Sequence, residues 1–232
     1  MTLVAHVRTD WIEVRKSPPT KVGRSGHALL TTAERSTTDV RPIPSPGLSW
    51  GSMDLGESWL FSNPTPAGNP LVFMVVSDGG GWLEVMVPTR PNGQTGWIRR
   101  SEVRISTSRW RIEVDVSERS VQIWRGNRLI SQSIAAVGRS STPTPLGHFY
   151  ISELERKAYA NGPYGPWIVG TNGWSETLDT FGGRVPMFAL HGTNNPRSLG
   201  EAVSNGCVRV PNEVIEMIAR EVPVGSPVHV RA

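Results

Sequence analysis

Cysteine is almost missing from this chain: one residue, Cys207, in 232. That excludes an intramolecular disulfide and any zinc site built on a cysteine cluster. It leaves the redox compartment open, because one thiol is compatible with either. Long apolar runs are missing too, and nothing approaches the ~20 residues that a membrane-spanning helix requires. The first twenty residues, MTLVAHVRTDWIEVRKSPPT, lack the basic start, apolar centre and small-residue cleavage site of a secretory leader. A chain whose leader had been trimmed would look the same, so export is not readable here. A large excess of charge of one sign is also lacking: 24 Lys and Arg face 20 Asp and Glu, for a net charge of +4. The basic residues are scattered, as in RKSPPTKVGR, the Arg pair at 99–100 and RWR at 109–111. That is a solvated mixed surface rather than a nucleic-acid footprint, so no nucleic-acid partner is expected.

Proline, glycine and tryptophan are plentiful: 19, 24 and nine residues. With many short alternating runs, this points to a mainly β protein rich in turns. VAHVR and WIEVRK read as early strands, and the stretch from Ser17 to Gly47 reads as loop or insertion. Strand character returns in SWLFS, LVFMVVS and GWLEVMVP, and TGWIRRSEV follows across TRPNGQ, whose Asn-Gly is a hairpin signal. The tryptophans are expected to pack in a core, with a ligand-stacking groove as the alternative. A boundary is expected near STSRW, about 106–110. Beyond it RIEVDV, VQIWR and NRLISQSI read as strands, and STPTPLG as a turn into HFYIS. Residues 156–187 carry six glycines and three prolines. They are expected to form a long active-site flap or irregular loops rather than a packed element. VPMFALH reads as a buried strand ending at His191. PNEVIEMIAREVP reads as a helix with Asn212 as N-cap, an apolar face of Val214, Ile215, Ile218, Ala219 and Val222, and Pro223 as its stop. PVHVRA reads as the last strand.

A lone cysteine is usually small apolar filler. Cys207, however, sits among small polar residues in SNGC, just upstream of the helix, where backbone N–H groups come close. Arg209, two residues on, shares its face if the segment is extended, and a nearby cation lowers a thiol pKa. A nucleophilic thiol needs a base. His191 is the best candidate, because it ends an apolar strand before a turn. His6, His27 and His229 suit surface or edge roles; His148 is either a substrate contact or a plain strand residue.

The segment HGTNNPRSLGEAVSNGCVRV resembles the active-site region of the YkuD-type L,D-transpeptidases: His-Gly, a linker of about fifteen residues, then Ser-x-Gly-Cys, an aliphatic residue and Arg. His191, Gly192, Ser204, Gly206, Cys207, Val208 and Arg209 match it. TPTPLGHFYI is similar to the family's strand entry, and the likeness covers about residues 109–232. Residues 1–106 resemble a bacterial SH3-like domain with a long insertion, at WIEVRKSPPT and again at the two Gly-Trp pairs, 81–82 and 96–97. The expected architecture is therefore an N-terminal SH3-like small barrel plus a β-rich YkuD-type domain with one packed helix.

The resemblance implies an extracytoplasmic protein of the cell wall or periplasm that acts on peptidoglycan stem peptides. It implies no metal and no cofactor. Cys207 would be the nucleophile and His191 the base, with the Gly192 carbonyl orienting the imidazole. Backbone N–H groups around Gly206 and Cys207 would hold the oxyanion, and Ser204 and Asn205 would shape the loop. Arg209 would meet a substrate carboxylate, hold the loop, or form a structural salt bridge. His148 would contact substrate if it faces the cleft. Asn205 departs from the histidine frequent there, which removes a second imidazole from consideration. An L,D-carboxypeptidase and a catalytically silent peptidoglycan-binding protein remain alternatives; a carbapenem is the thiol-reactive mimic of the acyl donor.

Overall fold

The computed structural model describes residues 1–19, 52–183 and 185–232. The expectation of a loop over Ser17–Gly47 lies outside them beyond residue 19. Two large sheets carry the chain, as the alternating runs suggest.

The N-terminal sheet contains β1 (Thr2–Val7), β2 (Trp11–Arg15), β3 (Ser52–Asp54), β4 (Ser58–Ser62), β5 (Val72–Asp78), β6 (Trp82–Met86), β7 (Thr95–Arg99) and β8 (Val103–Ser108). Their order is β3-β4-β2-β7-β6-β5-β1-β8, and every pairing is antiparallel. Inward residues such as Ile12, Val14, Phe61, Phe73, Leu83, Val85 and Ile98 form its core. Of the tryptophans expected inside, only Trp59 and Trp174 are buried among the described residues. Trp82 and Trp124 instead lie under arginines, Arg99 at 4.7 Å and Arg111 at 4.5 Å from their ring centroids.

The second sheet contains β9 (Trp110–Asp115), β10 (Ser120–Arg125), β11 (Arg128–Ile134), β13 (Gly147–Arg156), β14 (Trp167–Trp174), β15 (Met187–His191), β17 (Val208–Arg209) and β18 (Pro227–Arg231). Its order is β11-β10-β9-β18-β13-β14-β15-β17. A short parallel bridge, β12 (Val137–Gly138) with β16 (Ala202–Ser204), lies beside it. The helix α1 (Asn212–Glu221) packs Val214, Ile215 and Ile218 against β14 and β15. Residues 156–187 are not loop throughout: β14 runs through their middle, buried from Val169 to Trp174. The glycines mislead because Gly173 is an ordinary strand residue whose missing Cβ makes room for Phe149, 2.5 Å from where it would stand.

The two sheets share contacts. Trp174, at the end of β14, belongs to the N-terminal core, and Val185 and Met187 pack on it. Asn92, expected as a turn residue, also clamps the Trp174 backbone: its Nδ2 donates to Trp174 O (2.9 Å) and its Oδ1 accepts from Trp174 N (2.8 Å). Arg90 donates to Leu178 O at 2.9 Å. Tyr150 of β13 is buried beside Val4 and Val72, and its hydroxyl donates to Val72 O at 3.2 Å.

Candidate active site

The parallel pairing of β15 with β17 joins two segments distant in sequence, aligning Leu190 with Val208 and His191 with Arg209. Strand alternation decides what faces where. Phe188, Leu190 and Val208 point into the core, so Ala189, His191, Cys207 and Arg209 take the opposite face. A cavity of about 340 Å³ opens over that face, lined by Cys207, His191 and Arg209. Its walls include Tyr164, Phe181 and Met187.

His191 is 4% exposed. Its Nδ1 lies 2.6 Å from Gly192 O. A carbonyl only accepts, so Nδ1 carries the proton and Nε2 keeps its lone pair free. Burial pulls the imidazole pKa down to about 4, opposed by the Gly192 hydrogen bond and reinforced by the Arg209 charge. The ring is therefore neutral, in the form that accepts a proton, at ordinary pH. Tyr164 meets it edge-on, with centroids 5.0 Å apart. Gly192 is a forced choice: a Cβ there would fall 2.3 Å from Asn212 Oδ1. Asn212 does not cap α1, whose N-cap position is Pro211. Its Oδ1 instead accepts the Thr193 N–H at 2.8 Å, so the side chain fixes the loop that orients His191.

Ser204 is buried and ties the cysteine loop together. Its hydroxyl donates to Cys207 O (2.6 Å) and accepts the Gly206 N–H (3.1 Å). Gly206 has φ +110°, a conformation that L side chains rarely adopt. Its amide was an expected oxyanion donor but is engaged by Ser204; the Cys207 amide makes no hydrogen bond among the described residues. Burial raises the thiol pKa, while the Ala189 backbone and Arg209 pull it the other way. The expected thiolate-favouring effect of Arg209 is thus outweighed: the thiol is protonated at rest.

Asn205 Oδ1 accepts from the Arg139 guanidinium, and Arg139 N donates to Ser204 O at 3.1 Å. Arg139 carried no motif signal in the sequence. Arg209 is half-buried with no carboxylate in ion-pair reach among the described residues, and its Nε is buried without a hydrogen-bond partner. His148 is not brought to the cavity. It is exposed on β13, stacked on His229 of β18 at 4.2 Å. Sequence reasoning missed Glu155 and Tyr164, which line the cavity from the edges of the glycine-rich stretch. Among the described residues no group of three His, Cys, Asp or Glu is arranged to hold a metal.

Comparison with known proteins adds the family. The model of the YkuD L,D-transpeptidase catalytic domain matches residues 109–230. The YkuD protein of Bacillus licheniformis is 32% identical over 121 residues, 52% of this chain and 65% of that one. Its Bacillus subtilis counterpart is 32% identical over 119 residues, 51% and 64%. The chain thus spans just under two thirds of the length of these relatives. Among solved structures, an L,D-transpeptidase from Mycobacterium smegmatis is 16% identical with a TM-score of 0.45, covering 69% of this chain and 90% of that one. Because the family match runs across the second sheet from β9 into β18, this chain belongs to the YkuD family of L,D-transpeptidases.

Proposed function

We propose that the chain is a peptidoglycan L,D-transpeptidase with Cys207 as nucleophile and His191 as base. The observation that carries this reading is the pairing of β15 with β17, which puts thiol and imidazole in one cavity while Gly192 leaves Nε2 free. The donor is a tetrapeptide stem. As sulfur attacks the carbonyl between its third residue, a diamino acid, and the terminal D-alanine, His191 Nε2 takes the thiol proton. The C–S bond forms, the oxyanion collapses, the C–N bond breaks, and the proton passes from His191 to the leaving D-alanine amine. The Cys207 amide is the oxyanion donor. An amine of a second stem then attacks the thioester, the C–S bond breaks, and a crosslink between two diamino acids results.

A neutral thiol and a neutral imidazole lining one cavity suit this general-base route, since the proton moves only as sulfur attacks. Arg209, with no carboxylate in ion-pair reach among the described residues, is assigned to a substrate carboxylate. We place the protein outside the cytoplasm, at the wall, with the N-terminal sheet as an SH3-like module and the boundary of the two units at residues 106–109.

Intact-mass measurement after incubation with a carbapenem tests the proposal. Wild type should gain one adduct that Cys207→Ala does not form; no adduct on folded wild type would overturn it. Tripeptide as the sole product from a tetrapeptide stem would make the chain an L,D-carboxypeptidase. Stem binding without any covalent product would make it a silent binding protein.

A further inference from the structure

Besides thiol and imidazole, the described lining of the cavity holds two fixed charges of opposite sign, Glu155 and Arg209. They fall on one line across the sheet. Glu155 pairs with Ile168, Ile168 with His191, and His191 with Arg209. Paired residues on adjacent strands share a face and lie ~4.8 Å apart. The carboxylate therefore stands two strands, roughly 10 Å, to one side of the base, and the guanidinium one strand to the other. The acylation half of the reaction uses Cys207, His191 and Arg209 and leaves Glu155 without a task.

Glu155 already holds an ammonium. Lys157 Nζ lies 2.7 Å from its Oε1 and 5.7 Å over the ring of Tyr164, the ring that meets His191 edge-on. A carboxylate and an aromatic face thus cradle a cation one ring from the base. Both partners of the pair remain partly exposed, 31% and 51%. Such ion pairs contribute little to stability, so a second ammonium can displace the first.

We infer that Glu155 and Tyr164 form the acceptor subsite, capturing the primary ammonium of the attacking stem in competition with Lys157. The inference rests on the transpeptidase reading above. The acceptor arrives as R–NH3⁺ and sheds one proton to solvent through the Glu155 carboxylate. It then crosses the Tyr164 face to the thioester. Its C–N bond forms as the C–S bond breaks, and its second proton passes by way of His191 Nε2 to the departing sulfur.

The test is product partition from a soluble tetrapeptide stem, read by mass spectrometry as crosslinked dimer over tripeptide. This ratio is set after the acyl-enzyme has formed, so it does not depend on how fast that happens. Glu155→Gln should lower the ratio about tenfold, the scale of one lost charge-assisted hydrogen bond. Lys157→Met should raise it by removing the competitor, an opposite response that a merely structural ion pair would not give. A ratio unmoved in both variants, or tripeptide as the only wild-type product, overturns the subsite while leaving the acyl-enzyme standing. Loss of the carbapenem adduct on wild type overturns both.

Discussion

At the scale of single residues, the site depends on an imidazole that burial keeps neutral. His191→Gln removes the only proton acceptor assigned to the thiol, and acylation by a carbapenem should slow on the order of 10²-fold or more. The pH profile is a second check. With the imidazole pKa near 4, the acylation rate should hold through pH 6 and fall only as pH approaches 4. An acid limb centred near 6.5 would show that the ring titrates as an exposed histidine. The sequence made these residues legible, because His191, Gly192, Ser204, Gly206, Cys207 and Arg209 occupy motif positions. It did not reveal that Gly206's amide is taken by Ser204 or that burial outweighs Arg209 at the thiol. Both facts depend on neighbours that strand pairing supplies. His148 failed as a candidate for the same reason: only the register with His229 fixes which way it faces.

At the scale of elements, α1 and the turn after β15 act as one part. Asn212 was legible as a helix start, but its side chain serves the Thr193 amide rather than its own helix. Asn212→Ala orphans that amide and should cost about 1–2 kcal/mol in urea denaturation. Acylation should slow as well, because the loop that sets the imidazole loosens. Asn212→Asp keeps the acceptor oxygen and should restore most of both. Strand β14 was not legible. Its glycines, two of the six in residues 156–187, look like loop composition until Phe149 and Met187 are seen to fill the space they leave. Glycine content reports backbone freedom or a packing vacancy, and composition alone does not separate the two.

At the scale of the whole molecule, the sheets were legible as two β units, but their mutual packing was not. Nothing in the order of residues announces that Trp174 inserts into the N-terminal core. Shared contacts of this kind predict one cooperative thermal transition, checked by agreement of calorimetric and van't Hoff enthalpies. Two separated transitions would contradict it. Stability should also vary with pH. Between pH 6.5 and about 4 the unfolded chain protonates His191 while the folded chain does not. Acidification through that window therefore favours unfolding, by up to about 3 kcal/mol. His191→Gln should flatten the corresponding part of the stability curve measured by denaturant titration. The described residues Ser175–Gly183 follow Trp174, which sits in the N-terminal core, and Val185 and Met187 pack on the same core beyond them. For a chain segment with tethered ends, most of the entropy of closing the loop is lost when the tethers form. Here the tethers are doubled: Trp174 pairs with Met187 within the catalytic sheet, and the same two side chains pack on a sheet that carries none of the chemistry, so the cavity wall borrows part of its order from a neighbour outside the site.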